Sequence, residues 1–195
     1  MNARDSLSRK VFTARTLVER GVFRPARPDR LVRTGLALRR WGPTAAAGYE
    51  TSAIRYPDRA AVVDELGSLS FAEVHRRTNA LAHALADRGV GEGDHVAVLC
   101  RNHRGMIDVT VACSKLGAHA LYLNTMFSGP QIRDVCDRHE PKAIVYDEEF
   151  ADVVAPAREG RLGVVAWTEG EAAPGDERLE DLVAAGDPAA VRPSA

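Results

Sequence analysis

Residues 96–100 read Val96-Ala97-Val98-Leu99-Cys100, five apolar side chains in a row with no alternation. A strand with one wet face alternates apolar and polar residues. A strand buried on both faces does not, and such strands belong to parallel sheets covered by helices. Similar runs return at residues 120–123, 143–146 and 163–167. Helical stripes separate them. Met106, Val109, Cys113 and Leu116 form the first; Ile132, Val135 and Cys136 form the second, entered through Ser128 with Gln131 three residues on; Phe150, Val153 and Val154 form a short third. Strand and helix in regular alternation imply right-handed crossovers, hence an α/β fold with a doubly wound, mainly parallel sheet. Ligands of such sheets bind beyond the carboxyl ends of the strands. Here those ends are Arg101-Asn102-His103, Asn124-Thr125 and Asp147-Glu148-Glu149.

Upstream, residues 60–63 form a short apolar run that ends in a turn over residues 64–67. Ser70-Phe71-Ala72-Glu73 then has the spacing of a capping box, in which serine and glutamate satisfy each other's backbone N–H groups. Phe71, Val74, Thr78, Leu81 and Leu85 follow at steps of three and four and predict one buried stripe. Glu73, Arg76, Arg77, Asp87 and Arg88 fall on the expected wet side. Gly89 is placed to end the helix in the left-handed conformation.

Charge is distributed unevenly. Residues 1–43 hold eleven basic and three acidic residues, and the remainder holds fifteen basic and twenty-four acidic, so the near-zero net charge hides a basic arm on an acidic body. Three zones follow: a basic, helical arm over residues 1–57, the α/β region over residues 58–167, and a linker or tail over residues 168–195, rich in Glu, Ala, Gly and Pro, with one short helix at residues 179–185. Residues 29–41 can form an amphipathic helix carrying Leu31, Val32, Leu36, Leu38 and Trp41. That stripe is expected to pack on the chain's own domain, the alternative being an anionic membrane surface. Nothing here points to nucleic acid. Cys100, Cys113 and Cys136 are widely spaced among apolar neighbours, which predicts free buried thiols. No Cys/His cluster has zinc spacing. No apolar run approaches the roughly 20 residues of a membrane span, and no secretory signal is visible. A cytoplasmic location, with membrane association as an option, is the expectation.

The remaining motifs read as structure. Gly89-Val90-Gly91-Glu92-Gly93 resembles a phosphate loop in composition, but it closes a helix and enters a strand, the reverse of what a dinucleotide loop does. There is no Gly-x-Ser-x-Gly elbow and no Gly-Lys-Ser/Thr loop. His75 and His83 are expected to be solvated, and His95 and His119 to be structural. His103, at a strand's carboxyl end, is placed either to contact a ligand or, more simply, to cap the next helix. Asp147-Glu148-Glu149 opens a helix, where acidic groups suit the positive end of the dipole; metal binding there is the weaker reading.

Four segments in order carry a family resemblance. Leu69-Ser70-Phe71-Ala72-Glu73-Val74 resembles the Leu-Thr/Ser-Tyr-x-Glu-Leu motif of adenylate-forming acyl- and aryl-CoA synthetases. Gly93-Asp94 with Val96 and Ala97, and then Arg101-Asn102, resemble that family's Gly-Asp-x-Val and Pro-Asn segments, with Arg101 in place of proline. Ser114-Lys115-Leu116-Gly117-Ala118, running on to Asn124, resembles its Leu-Lys-x-Gly-Ala motif and following strand, and residues 123–130 are similar to the fatty-acid-activating branch found in actinobacteria. The resemblance implies the amino-terminal part of an enzyme that joins a fatty acid to ATP, releases pyrophosphate, and passes the acyl group to coenzyme A, with Mg²⁺ offsetting phosphate charge. Arg101, Asn102, His103, Asn124 and Thr125, at the carboxyl ends of the strands, are the candidate substrate-binding residues in a complete enzyme. No catalytic or metal-binding residue can be carried over. The family's Thr-Ser-Gly-Thr-Thr-Gly-x-Pro-Lys-Gly phosphate segment does not occur in these 195 residues. The expectation is a polypeptide inactive alone, with the remaining portion of the synthetase, or a full-length relative, as its partner.

Overall fold

A computed structural model describes residues 27–168 and 174–191, together with Phe12, Gly170 and Ala172. The amino-terminal part of the expected arm, apart from Phe12, lies outside the described residues. Two compact units are distinguished, Met1–Val32 and Arg33–Ala195. Helix α1 (Pro28–Trp41) begins in the first and ends in the second. Its aliphatic residues do not pack as expected. Leu31 and Val32 in the first unit are 50% and 62% exposed, and Leu36 and Leu38 in the second are 61% and 49% exposed. In the second unit the residues of this helix that bury are Ala37 and Trp41, and the Trp41 indole donates to Glu50. Of the stripe read from the sequence, within the second unit, Trp41 packs inward and Leu36 and Leu38 stay exposed.

Helix α2 (Ala45–Arg55) is capped by Thr44 and is held by Ala46 N–H donating to Ser114 Oγ. Strands β1 (Ala60–Asp64) and β2 (Gly67–Ser70) pair antiparallel in a hairpin, an element the short run at residues 60–63 only half announced. Helix α3 (Phe71–Asp87) starts at the expected capping box: Ser70 N–H donates to Glu73, and Glu73 N–H donates to Ser70 Oγ. It stops before Gly89, whose φ of 85° is left-handed.

The rest alternates as predicted: β3 (His95–Leu99), α4 (Arg104–Leu116), β4 (His119–Tyr122), α5 (Gly129–His139), β5 (Ala143–Asp147), a 3₁₀ turn (Glu148–Phe150), α6 (Ala151–Val154), a second 3₁₀ turn (Ala155–Ala157), and β6 (Leu162–Trp167). Then β7 (Glu177–Arg178) and α7 (Leu179–Ala185) follow. The five sheet strands lie in the order β4-β3-β5-β6-β7, all pairs parallel. Strand β4 is therefore an edge, half exposed, where a strand buried on both faces was expected. Residues 177–191, in the stretch expected to be a linker, contribute Leu179, Leu182 and Val191 to the core.

Period-two alternation splits the core into two layers. Val96, Val98, Ala143, Val145, Val164 and Ala166 face α2, α3, α4 and α7. Ala97, Leu99, Ile144, Tyr146 and Val165 face α5 and α6. Each large aliphatic residue buried here stabilises the fold by roughly 1.5–3 kcal/mol.

Several polar expectations change. Arg77, placed on the wet side by helical periodicity, is 15% exposed and donates to Asp108 of α4 and Glu180 of α7. His75 and His83 are half-buried rather than solvated, and burial pulls His75 down to about 4. The tertiary arrangement laid α4 and α7 over that face of α3. The three cysteines are free, Cys113 and Cys136 buried and Cys100 half-buried. No helix among the described residues is long and apolar enough to cross a membrane.

Candidate ligand-binding end of the sheet

The chain leaves β3 through α4 on one face of the sheet and leaves β5 through α6 on the other, so a crevice opens between the carboxyl ends of these two adjacent strands. Arg101-Asn102-His103 and Asp147-Glu148-Glu149 meet there.

Asp147 organises the crevice. It is buried, its Oδ2 accepts from the Arg101 backbone N–H at 2.6 Å, and its Oδ1 accepts from His103 Nε2 at 2.8 Å. His103 is the N-cap of α4. Its Nδ1 accepts from Gly105 N–H at 3.0 Å, which places the ring proton on Nε2, toward Asp147. A Cβ at residue 105 would meet His103 Cε1 at 2.9 Å, so glycine is what lets the ring lie over the helix start. The Trp167 ring covers its other side at 4.8 Å between centroids. Of the two placements expected for His103, the structure shows the cap, and the ring remains at the crevice.

Cys100, His103 and Asp147 offer ligand-type atoms within 4.8 Å of one another. The hydrogen bonds argue against a metal. A metal on Nε2 would need the ring proton on Nδ1, where the Gly105 N–H already points. Burial, with Asp147 next in effect, holds the Cys100 thiol well above its ordinary pKa. Both Asp147 oxygens are occupied, which removes it from the expected helix-opening carboxylate group; Glu148 accepts from Thr168 and Glu149 from Arg101.

The other predicted residues surround this core unevenly. Arg101 is exposed, pairs with Glu149 at 2.8 Å, and lies over the Phe150 ring at 5.2 Å. Asn102 is exposed and, with His103, Tyr49, Val62 and Met106, lines a cleft of ≈ 280 Å³. A second cleft of ≈ 420 Å³ runs along Asp147, Glu148, Glu149, Trp167 and Thr168, and a third of ≈ 290 Å³ joins Trp167 to Leu66, Arg178 and Glu180. Asn124 folds back, its Oδ1 accepting from Met126 N–H at 2.9 Å. Among the described residues no hydrogen bond or ion pair joins Asn124 or Thr125 to residues 101–103. Asp147 as an anchor, Gly105 and Trp167 were not singled out by sequence reasoning. The signals available were the spacing His103-x-Gly105 and an acidic residue closing a buried strand.

Arg104 fixes the hairpin to this end, donating bidentately to Asp64 and holding its carboxyl down at about 2. The glycine-rich segment 89–93 lies at the opposite, amino end of β3, where Gly93 N–H donates to Gly117 O, as a turn and not a phosphate cradle.

Comparison with known proteins agrees with this architecture. A medium/long-chain-fatty-acid–CoA/3-oxocholest-4-en-26-oate–CoA ligase of Mycobacterium marinum is 32% identical over 99 residues, which make up 51% of this chain and 18% of the relative. A 2-succinylbenzoate–CoA ligase of Oceanobacillus iheyensis is 35% identical over 95 residues, 48% of this chain and 20% of the relative. The chain thus spans about a fifth of the length of these relatives. Among solved structures, a benzoate CoA ligase from Burkholderia xenovorans superposes with a TM-score of 0.68 at 19% identity over 76% of this chain and 30% of that one. An acyl-CoA synthetase from Brucella canis gives 0.68 at 18% over 84% and 33%. Both share the fold. The AMP-binding enzyme family matches residues 49–193, from helix α2 through every strand of the sheet to the end of the described residues. The chain is accordingly a member of the AMP-binding enzyme family and corresponds to an amino-terminal part of its acyl-CoA ligases.

Proposed function

We propose that the 195 residues form the amino-terminal portion of an ATP-dependent, AMP-forming acyl-CoA synthetase that activates a medium- or long-chain fatty acid. One observation supports this most: the family match spans the whole sheet, and the crevice at the carboxyl ends of β3 and β5 is built from the segments that resemble the family's motifs. Within a complete synthetase, ATP and Mg²⁺ would serve adenylation and coenzyme A would accept the acyl group. The residues of this chain would supply walls. Arg101 and Asn102 stand at the rim, His103 is held by Asp147 and the Gly105 N–H, and Asn124 and Thr125 extend the rim past β3.

The polypeptide by itself has no phosphate-gripping segment and is proposed not to adenylate. Electrostatic stabilisation of the transferring phosphates is usually a leading part of the catalysis, and the cation at the rim, Arg101, is already paired with Glu149. The partner would be a polypeptide carrying the later segments of a synthetase. Pyrophosphate exchange into ATP tests both halves. Fatty-acid-dependent exchange is expected to be absent with the purified chain and to appear on co-expression with the remaining portion of a relative. Exchange by the chain alone would overturn its inactivity; none from a soluble co-expressed complex would overturn the assembly.

A second reading concerns membranes. Leu36 and Leu38 are exposed on a helix that also carries Arg33, Arg39 and Arg40, a combination suited to anionic lipid. Binding to vesicles containing phosphatidylglycerol is expected to disappear when residues 1–43 are removed; binding that survives the removal rules this reading out.

A further inference from the structure

Residues 176–180 hold three carboxylates, and each is taken by an arginine from another part of the chain. Asp176 pairs with Arg158, Glu177 with Arg88 and Glu180 with Arg77. Arg178 sits among them and has no such partner. It is half-buried, its Nε is shut off from solvent without a hydrogen bond, and it forms no ion pair among the described residues. A charged donor left buried without an acceptor is a standing cost, and whatever supplies the acceptor removes it.

Arg178 lines the cavity of ≈ 290 Å³ beyond the carboxyl end of β6, together with Leu66, Val165, Ala166, Trp167 and Thr168. Strand pairing brings it there. Strand β7 runs parallel to β6 with Arg178 in register with Val165, so the two residues leave the same face of the sheet. Two acidic residues complete the lining. Glu180 gives both its oxygens to Arg77, and Glu65 is exposed at the hairpin turn, where water weakens its field. The Thr168 hydroxyl donates to Glu148. Among the described residues Arg178 is therefore the one cation of the lining, and the wall beside it is aliphatic and indole. The volume stands at the low end of the roughly 300–1,000 Å³ of small-molecule sites, so a ligand here is small.

We infer that this cavity binds a small organic anion, an apolar body carrying one carboxylate or phosphate, with Arg178 as its anchor. A guanidinium offers a planar fork of donors that either group accepts bidentately. Leu66, Val165, Ala166 and the Trp167 indole receive the apolar body. The site is separate from the crevice between β3 and β5, where the His103 nitrogens and Asp147 oxygens already have partners. It goes beyond the synthetase reading and does not rest on it, since binding is read with neither ATP nor coenzyme A present.

Calorimetric titration of the 195-residue chain with benzoate and with phenyl phosphate, beside the uncharged benzamide, tests the site. One equivalent of at least one anion is expected to bind, the tighter of the two naming the headgroup, with benzamide weaker by about tenfold or more. Arg178→Gln is expected to weaken the anion by about tenfold or more, and Arg178→Lys to keep part of the affinity. Circular dichroism checks the fold of both. Leu66→Asp supplies a second variant: Leu66 is 64% exposed, so the fold tolerates the change, and the added negative charge at the wall is expected to weaken both anions. Binding of neither anion, equal binding of benzamide, or parental affinity in both Arg178→Gln and Leu66→Asp overturns the assignment. Loss of binding in Arg101→Gln with none in Arg178→Gln would move the anion to the crevice and overturn it as well.

Discussion

Helix α4 runs between the two ends of the sheet, and those ends handle polar groups in opposite ways. At its start, His103, Asp147, Gly105 and the Arg101 amide form a closed set of buried hydrogen bonds, and Arg104 and Asp64 form a second set beside it. Near its finish the only buried cation among the described residues, Lys115, forms no ion pair with a described carboxylate. Its ammonium donates to Thr78 Oγ1 at 2.7 Å, Asn79 Oδ1 at 2.6 Å and His75 O at 3.2 Å. Beyond it, Gly117 turns the chain at a φ of 70° into β4. The first end is rigid because every donor has a fixed acceptor. The second holds one buried ammonium against hydroxyl, amide and backbone oxygens.

Breaking the closed end is expected to cost most. Asp147→Ala leaves the Arg101 amide and the His103 Nε2–H without acceptors in a buried place, a loss of about 3 kcal/mol. Urea unfolding should show it; a loss below about 1 kcal/mol would mean the crevice is not organised by this carboxylate.

Lys115 tests the other end through pH. Burial lowers its pKa to about 7 from 10.5, so between those values the folded chain binds fewer protons than the unfolded chain. Stability from this group then rises with pH across that window and is flat below it, by about 2 kcal/mol from pH 7 to 9. Lys115→Met should flatten that slope. A parent whose stability does not rise between pH 7 and 9 contradicts the depressed ammonium. Asp108, raised by its burial to about 6, acts lower on the scale. The folded chain binds more protons than the unfolded one between about 4 and 6, so its contribution falls as pH rises there and does not overlap the lysine window.

Gly105→Ala sharpens the contrast at smaller scale. The added methyl must push the His103 ring off its cap, for about 1–2 kcal/mol, and should alter the His103 Nδ1 resonance in nitrogen NMR. His119→Gln at the other end is expected to change stability by less than about 0.5 kcal/mol, as an exposed residue should. A large loss there would show that the His119 ring contact with His95 is structural.

Much of the fold was legible in local patterns. The Ser70–Glu73 capping box, the glycine stop at residue 89, the four apolar runs and the helical stripes between them were all read from neighbours in sequence, because caps and periodicity act over three or four residues. The candidate site was legible only in part. Arg101-Asn102-His103 could be placed at a strand's end, and His103 read as a cap. Its acceptor, 44 residues away, could not be read. Periodicity also misplaced Arg77 and the leucines of α1, since it says which residues share a face and not what that face will meet.

By itself the sequence determined the alternation of strand and helix, the family resemblance, and the free state of the three cysteines. The tertiary structure alone decided that β3 lies between β4 and β5, that Asp147 ties the crevice, that residues 177–191 complete the core, and that Arg178 lines a cavity without an ion-pair partner among the described residues. The physical reason is range. Backbone dihedrals, caps and side-chain periods are fixed within a few residues, whereas the order of strands and the partners of buried polar groups are settled when distant surfaces compete for the same burial.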